Sequence, residues 1–130
     1  METLIYLDTH VVVWLYANEF KKFPANTLKL IENNPVRIAP IVLLELGYLY
    51  EIGRLQDTHQ TIIEVLKQTL ELKICDLAYL QVIESAIEVT WTRDPFDRLI
   101  VAQATVNQST LVTKDTIIRS HYPYAIWEAK

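Results

Sequence analysis

The chain reads as an α/β protein built on a parallel sheet with helices on both faces. Short apolar runs recur at residues 4–7, 36–39, 72–75 and 110–113. Longer segments between them carry apolar residues at helical spacing. Hairpin signals are few, so consecutive strands are expected to be joined through helices, which makes a parallel sheet covered on both sides. A chain of 130 residues, 51% of them hydrophobic, is expected to form one domain with a substantial core.

Each element has a local reason. Leu4-Ile-Tyr-Leu7 ends abruptly at Asp8, as a buried parallel strand does. Thr9 and His10 follow, and residues 11–17 begin a helix. Residues 18–23 are a polar break. Pro24 opens a helical pattern with Leu28 and Ile31 inward, ending near Asn33, Asn34 and Pro35. Residues 36–39 form a second strand, stopped by Pro40. Residues 41–50 are an almost wholly apolar helix that holds one acid, Glu45, and closes at Gly53, a suitable C′ residue. Asp57 or Thr58 caps the next helix, whose stripe is Ile62, Ile63, Leu66 and Leu70. Residues 72–75 are a third strand. Asp76 is expected to cap a helix over residues 77–88 with Leu80, Ile83, Ala86 and Ile87 inward.

Residues 92–104 are the most informative stretch. Asp94 is a good N-cap, and Pro95 suits the first helical position, where its missing N–H would be unpaired anyway. Asp97 falls in the first turn, where the helix dipole favours an anion. Leu99, Ile100, Val101, Ala102 and Ala104 then predict a deeply buried helix. Residues 110–113 form a strand ending at Lys114 and Asp115, and residues 125–127 add a last one.

Ligands of open parallel α/β sheets bind outside the carboxyl ends of the strands. Asp8 and Asp115 fall there, Asp97 starts a neighbouring helix, and Glu45 lies in the helix after Pro40. Each has a bland alternative. Asp8 can start an Asx-turn, Asp94 and Asp115 can be caps, and Asp97 can simply complement a dipole. Glu45 is the hardest to dismiss, because an unpaired buried carboxylate is costly. It requires either a salt bridge, with Arg37, Arg54 or Arg98, or a metal. Four carboxylates with no Cys/His cluster point to a hard cation, Mg²⁺ or Mn²⁺. Such ions serve phosphoryl transfer. Thr9 and Thr113 stand beside acids and are expected to orient ligands or water. His10 is left out of the catalytic set. Trp14, Tyr16, Tyr48 and Tyr50, set among aliphatics, are read as core or subunit packing.

The net charge is −4, which argues against a simple nucleic-acid-coating module but not against a nuclease with a few local cations. The single cysteine leads to the expectation of a reducing, cytoplasmic setting. No apolar run is long enough to span a bilayer, and the N-terminus does not read as a signal peptide.

With these residues in hand, the chain resembles the PIN-domain family, specifically the VapC-like toxins of bacterial toxin–antitoxin pairs. The resemblance rests on Leu7-Asp-Thr-His10 followed by Val-Val-Trp-Leu, and on Glu45. It rests further on Asp94-Pro-Phe-Asp-Arg-Leu-Ile-Val-Ala-Gln-Ala104 and on Thr113-Lys-Asp115. It implies a Rossmann-like, three-layer α/β/α sandwich with a central, mainly parallel sheet. Asp8, Glu45, Asp97 and Asp115 would be both catalytic and metal-binding around Mg²⁺ or Mn²⁺. The activity implied is that of an endoribonuclease, in which metal-activated water attacks an RNA phosphodiester. Arg93, Arg98 and Lys114 are the expected RNA contacts, and Asp94 keeps a capping and supporting role. A homodimer and a cognate antitoxin are implied, with DNA reached only through the antitoxin. One departure is Thr92, where members with this motif often carry His.

Two other readings compete. A receiver-type phosphoacceptor domain would use Asp76, after the third strand. A catalytically silent interaction domain would make all the acids structural.

Overall fold

The computed structural model describes residues 3–129. Five strands form one sheet: β1 (Ile5–Leu7), β2 (Val36–Ile38), β3 (Lys73–Ile74), β4 (Thr110–Val112) and β5 (Ala125–Ile126). Their order is β3-β2-β1-β4-β5, and every pairing is parallel. The connections are α1 (Thr9–Tyr16), α2 (Ala25–Glu32), α3 (Pro40–Glu51), α4 (His59–Leu70), α5 (Tyr79–Ile87), α6 (Pro95–Thr105) and α7 (Thr116–His121). A 3-10 turn, Phe20–Lys22, lies between α1 and α2. This is the three-layer α/β/α arrangement.

The chain builds outward from β1 through β2 to β3, then crosses to β4 and β5 on the other side of β1. The order therefore switches direction beside β1, which places the ligand crevice at the carboxyl ends of β1 and β4. Ile5, Leu7, Val36, Ile38, Leu111 and Val112 are each at most 1% exposed. That is why β1 reads as a continuous apolar run and not as an alternating one.

Most expected elements are present with shifted ends. The first helix begins at Thr9, not Val11, because Asp8 caps it by accepting the Thr9 N–H. Pro40 is the first residue of α3 as well as the stop of β2. At the other end of α3, Gly53 has φ +79°. The Gly53 N–H donates to Tyr50 O and the Arg54 N–H to Leu49 O, the paired bonds of a Schellman close. Thr58 caps α4, whereas Asp57 accepts from the Tyr16 hydroxyl. In α6 burial is confined to residues 100–104; the first turn is open to the cleft described below.

Helix α5 differs from expectation. It starts at Tyr79 with Ala78 at its cap position and no side-chain cap, so Asp76 is exposed and caps nothing. Its inward residues are Val82 and Ala86, while Leu80 and Ile87 are 70% and 61% exposed. The physical reason is its partner: α5 packs on α6 through a cluster in which Val82 and Ala86 meet Ala102. Small side chains there allow close approach and leave the bulkier apolar face outward.

Candidate active site

The carboxyl ends of β1 and β4 are in register, Leu7 opposite Val112, and the Asp8 N–H donates to Val112 O at 3.1 Å. Just beyond them lies a cleft of ≈ 270 Å³ lined by Asp8, Glu45, Asp97 and Asp115. Thr9, His10, Trp14 and Arg54 also line it. The four acids proposed from the sequence thus come from four different segments and meet in one place.

Asp8 is 4% exposed and held from several directions. Its Oδ1 accepts the Thr9 N–H at 2.8 Å, and its Oδ2 accepts the Thr113 hydroxyl at 2.6 Å. The His10 Nδ1 lies 3.4 Å from the same Oδ2. Thr113 is itself fully buried, and its Oγ1 accepts the Asp115 N–H at 3.1 Å, so one hydroxyl ties the two strand-end acids together. Asp115 caps α7, accepting the N–H groups of Ile117 and Ile118. The capping and site readings of Asp115 are therefore compatible, not exclusive.

Glu45 is half-buried on α3 and accepts the Thr9 hydroxyl. The salt-bridge alternative fails: among the described residues Glu45 forms no ion pair. Arg37 instead donates to Val36 O, and Arg98 donates through Nε to Thr92 O at 2.8 Å. Burial raises the Glu45 carboxyl above its usual range; the Thr9 hydrogen bond opposes this, while the charges of Asp8 and Asp94 add to it.

Asp97 is the most perturbed acid. Burial, and then the charges of Asp94, Asp8, Asp115 and Glu45, push its pKa up to about 7. Among the described residues no protein donor hydrogen-bonds its carboxylate. Glu45 and Asp97 thus carry charge that the protein leaves largely uncompensated, the condition a bound cation relieves.

Asp94 caps α6, accepting from the N–H groups of Phe96 at 2.8 Å and Asp97 at 3.4 Å. It lies outside the cleft lining but fixes the turn that carries Asp97. Of the expected RNA contacts, Arg93, Arg98 and Lys114 do not line the cleft. The Lys114 Nζ lies 5.8 Å from the ring centre of Trp14, which does line it. The cation that does line it is Arg54, which the sequence suggested only as an ion-pair partner. Its signal was Gly53, whose positive φ fixes where the next residue leaves the helix. Trp14 packs against Phe23 and Trp127, whereas Tyr48 and Tyr50 are 49% and 44% exposed, outside the core and free for the subunit packing that was the other half of that expectation. Asp76 is absent from the cleft, so the phosphoacceptor reading has no acceptor there.

Among the described residues no three acidic, His or Cys side chains stand close enough together to make a ready-made metal cage. The donor set is nonetheless all oxygen, and Mg²⁺ typically takes one or two carboxylates and completes its shell with water and substrate phosphate. A spread set of carboxylates, two of them with raised pKa, fits that mode better than it fits a closed structural site.

The architecture is thus that of a Rossmann-like fold with an acidic cleft at its topological switch point. The PIN domain profile matches residues 5–122, and the chain belongs to that family. It is 30% identical to Ribonuclease VapC22 of Mycobacterium tuberculosis over 133 residues, covering 96% of this chain and 99% of the relative. VapBC2 from Rickettsia felis, solved bound to a DNA fragment from its promoter, superposes with a TM-score of 0.69 at 23% identity, covering 97% of this chain and 98% of the other. VapBC-1 from nontypeable Haemophilus influenzae gives 0.66 at 16% identity, covering 97% of each chain. Among the described residues no helix is long and apolar enough to cross a membrane.

Proposed function

We propose that the protein is a metal-dependent endoribonuclease, the toxin of a toxin–antitoxin pair, acting in the cytoplasm through Asp8, Glu45, Asp97 and Asp115. The observation that carries this reading is the cleft at the carboxyl ends of β1 and β4, lined by Asp8, Glu45, Asp97 and Asp115. An enzyme of this family with such a cluster has placed negative charge where a polyanionic substrate must come. Only a cation makes that arrangement productive.

Bound Mg²⁺ or Mn²⁺ would neutralise the scissile phosphate and lower the pKa of a water. The protein's own groups divide the remaining work. Asp8 and Asp115, fixed by backbone and threonine donors, hold their oxygens in place at the strand ends. Glu45 and Asp97 face the cleft with few competing donors. Thr9, bonded to Glu45, and Thr113, bonded to Asp8, orient those carboxylates. Arg54 at the cleft, together with Lys114, Arg93 and Arg98, supplies local attraction for the RNA backbone despite the net charge of −4.

The reading includes a homodimer and a cognate antitoxin, DNA being reached through the latter. The exposed apolar side chains Tyr79, Leu80 and Ile87 on α5 form the surface we assign to a second copy of the chain, since patches of this kind mark interfaces. On this reading the whole chain is one domain.

The test is cleavage of an RNA panel by purified protein freed of any partner, in Mg²⁺, Mn²⁺ or EDTA. Cutting with either metal and none in EDTA supports the proposal. Equal cutting in EDTA overturns its metal dependence.

A further inference from the structure

We propose that His10 is a positioning residue, whose ring ties the loop carrying Asp115 to the carboxylate of Asp8. It lies in the first turn of α1, two residues beyond Asp8, with its ring edge-on to Trp14 at 4.9 Å between centres. Its Nε2 accepts the backbone N–H of Lys114 at 3.0 Å, a bond between residues 104 positions apart. A nitrogen that accepts an N–H carries no proton, so the proton of the neutral ring sits on Nδ1. Nδ1 lies 3.4 Å from the Asp8 Oδ2.

One ring therefore spans both strand ends. It holds the peptide between Thr113 and Asp115 through one nitrogen and faces Asp8 through the other. Thr113 makes the parallel tie deeper in the fold, donating to Asp8 and accepting from Asp115. The charged groups facing the ring are Asp8, Asp115 and Lys114. The same geometry explains why His10 is not a general base: the only lone pair of its ring is already taken by Lys114.

The proposal concerns the site assigned above, and its kinetic arm rests on the ribonuclease reading. Imidazole ¹⁵N spectroscopy of the full metal-free chain reads the tautomer directly and needs no activity. A proton on Nδ1 with an unprotonated Nε2 is expected, and a proton on Nε2 overturns the proposal. Three proteins then separate positioning from general stability: wild type, His10→Ala and His10→Gln. The glutamine oxygen reaches about as far as Nε2 and accepts the Lys114 N–H; alanine cannot. Loss of a partner that orients a ligand typically costs about 10–100-fold in metal affinity or activity. His10→Ala is expected to lose at least about 10-fold in Mn²⁺ affinity and in kcat, with the KM for RNA nearly unchanged, and His10→Gln to recover most of both.

If both variants lose only melting temperature while Mn²⁺ affinity and kcat persist, or if glutamine rescues nothing, His10 does not position the acids. If the wild type neither binds Mn²⁺ nor cuts RNA, the ribonuclease reading is what fails. The tautomer then decides the tie by itself.

Discussion

Replacing Asp97 by Asn should make the metal-free protein more stable at pH 8 and change it little at pH 5. The Asp97 pKa rises from 3.8 to about 7 on folding, by burial first and neighbouring charge second. The folded state therefore holds this proton more tightly than the unfolded chain does. That contribution is fully present below pH 4 and is lost as pH rises through about 7. Above pH 7 a charged, half-buried carboxylate remains, and it costs stability. Three units correspond to about 4 kcal/mol at roughly 1.36 kcal/mol per unit. The side chain keeps contact with solvent, and screening reduces this to about 2 kcal/mol. Asparagine also forfeits the favourable interaction of a first-turn anion with the helix dipole, about 0.5 kcal/mol. A net gain of about 1.5 kcal/mol at pH 8 is left, or roughly 5 °C in melting temperature for a chain of this size. Urea unfolding in EDTA at pH 5 and pH 8 measures it. An Asp97→Asn protein that is less stable at pH 8, or equally shifted at both pH values, would refute the electrostatic argument.

Other perturbations separate the remaining parts of the site. Thr113→Val removes the 2.6 Å hydrogen bond to the buried Asp8 carboxylate and should cost about 1–3 kcal/mol in urea unfolding. Asp94→Ala removes the cap of α6 at about 1 kcal/mol. It should also lower the Asp97 pKa, because Asp94 is the largest charge acting on it; carboxyl NMR titration checks the direction. Mg²⁺ should raise the melting temperature of the wild type and do less for Asp8→Asn, as seen by calorimetry. Arg54→Ala should weaken RNA binding by an uncleaving Asp97→Asn background and reduce its salt dependence by about 0.7 in log–log slope, the contribution of one single-strand phosphate contact.

Much of this architecture was legible because its signals are local. Asp94-Pro95 marks a helix start by capping and by the fixed φ of proline, and α6 begins there. Leu4–Leu7 running into Asp8 announces a buried parallel strand with an acid at its end, and Thr110–Thr113 repeats the pattern before Asp115. Parallel order then brings those acids together, so two strand-end observations implied a cleft. What was not legible depended on partners. Helix α5 has two apolar faces, and its packing on α6, where Val82 and Ala86 meet Ala102, leaves Leu80 and Ile87 exposed. Glu45 invited a salt bridge that does not form; Arg98 donates instead to the Thr92 carbonyl. Arg54 was visible as a residue but not as a neighbour of the acids, since its placement follows from how α3 closes at Gly53. His10 looked like a lone structural histidine, and a contact with Lys114 across 104 positions leaves no trace in local spacing.

The central claim is that the four acids serve RNA hydrolysis and are not merely structural. The most direct measurement is the cleavage rate of one RNA oligonucleotide at saturating Mn²⁺, by wild type and by Asp97→Asn purified in parallel. Asp97→Asn is expected to lose about 10²-fold or more with the folded structure intact, on the scale of removing a group that acts on charge developing in the transition state. Cutting by Asp97→Asn at the wild-type rate would contradict it.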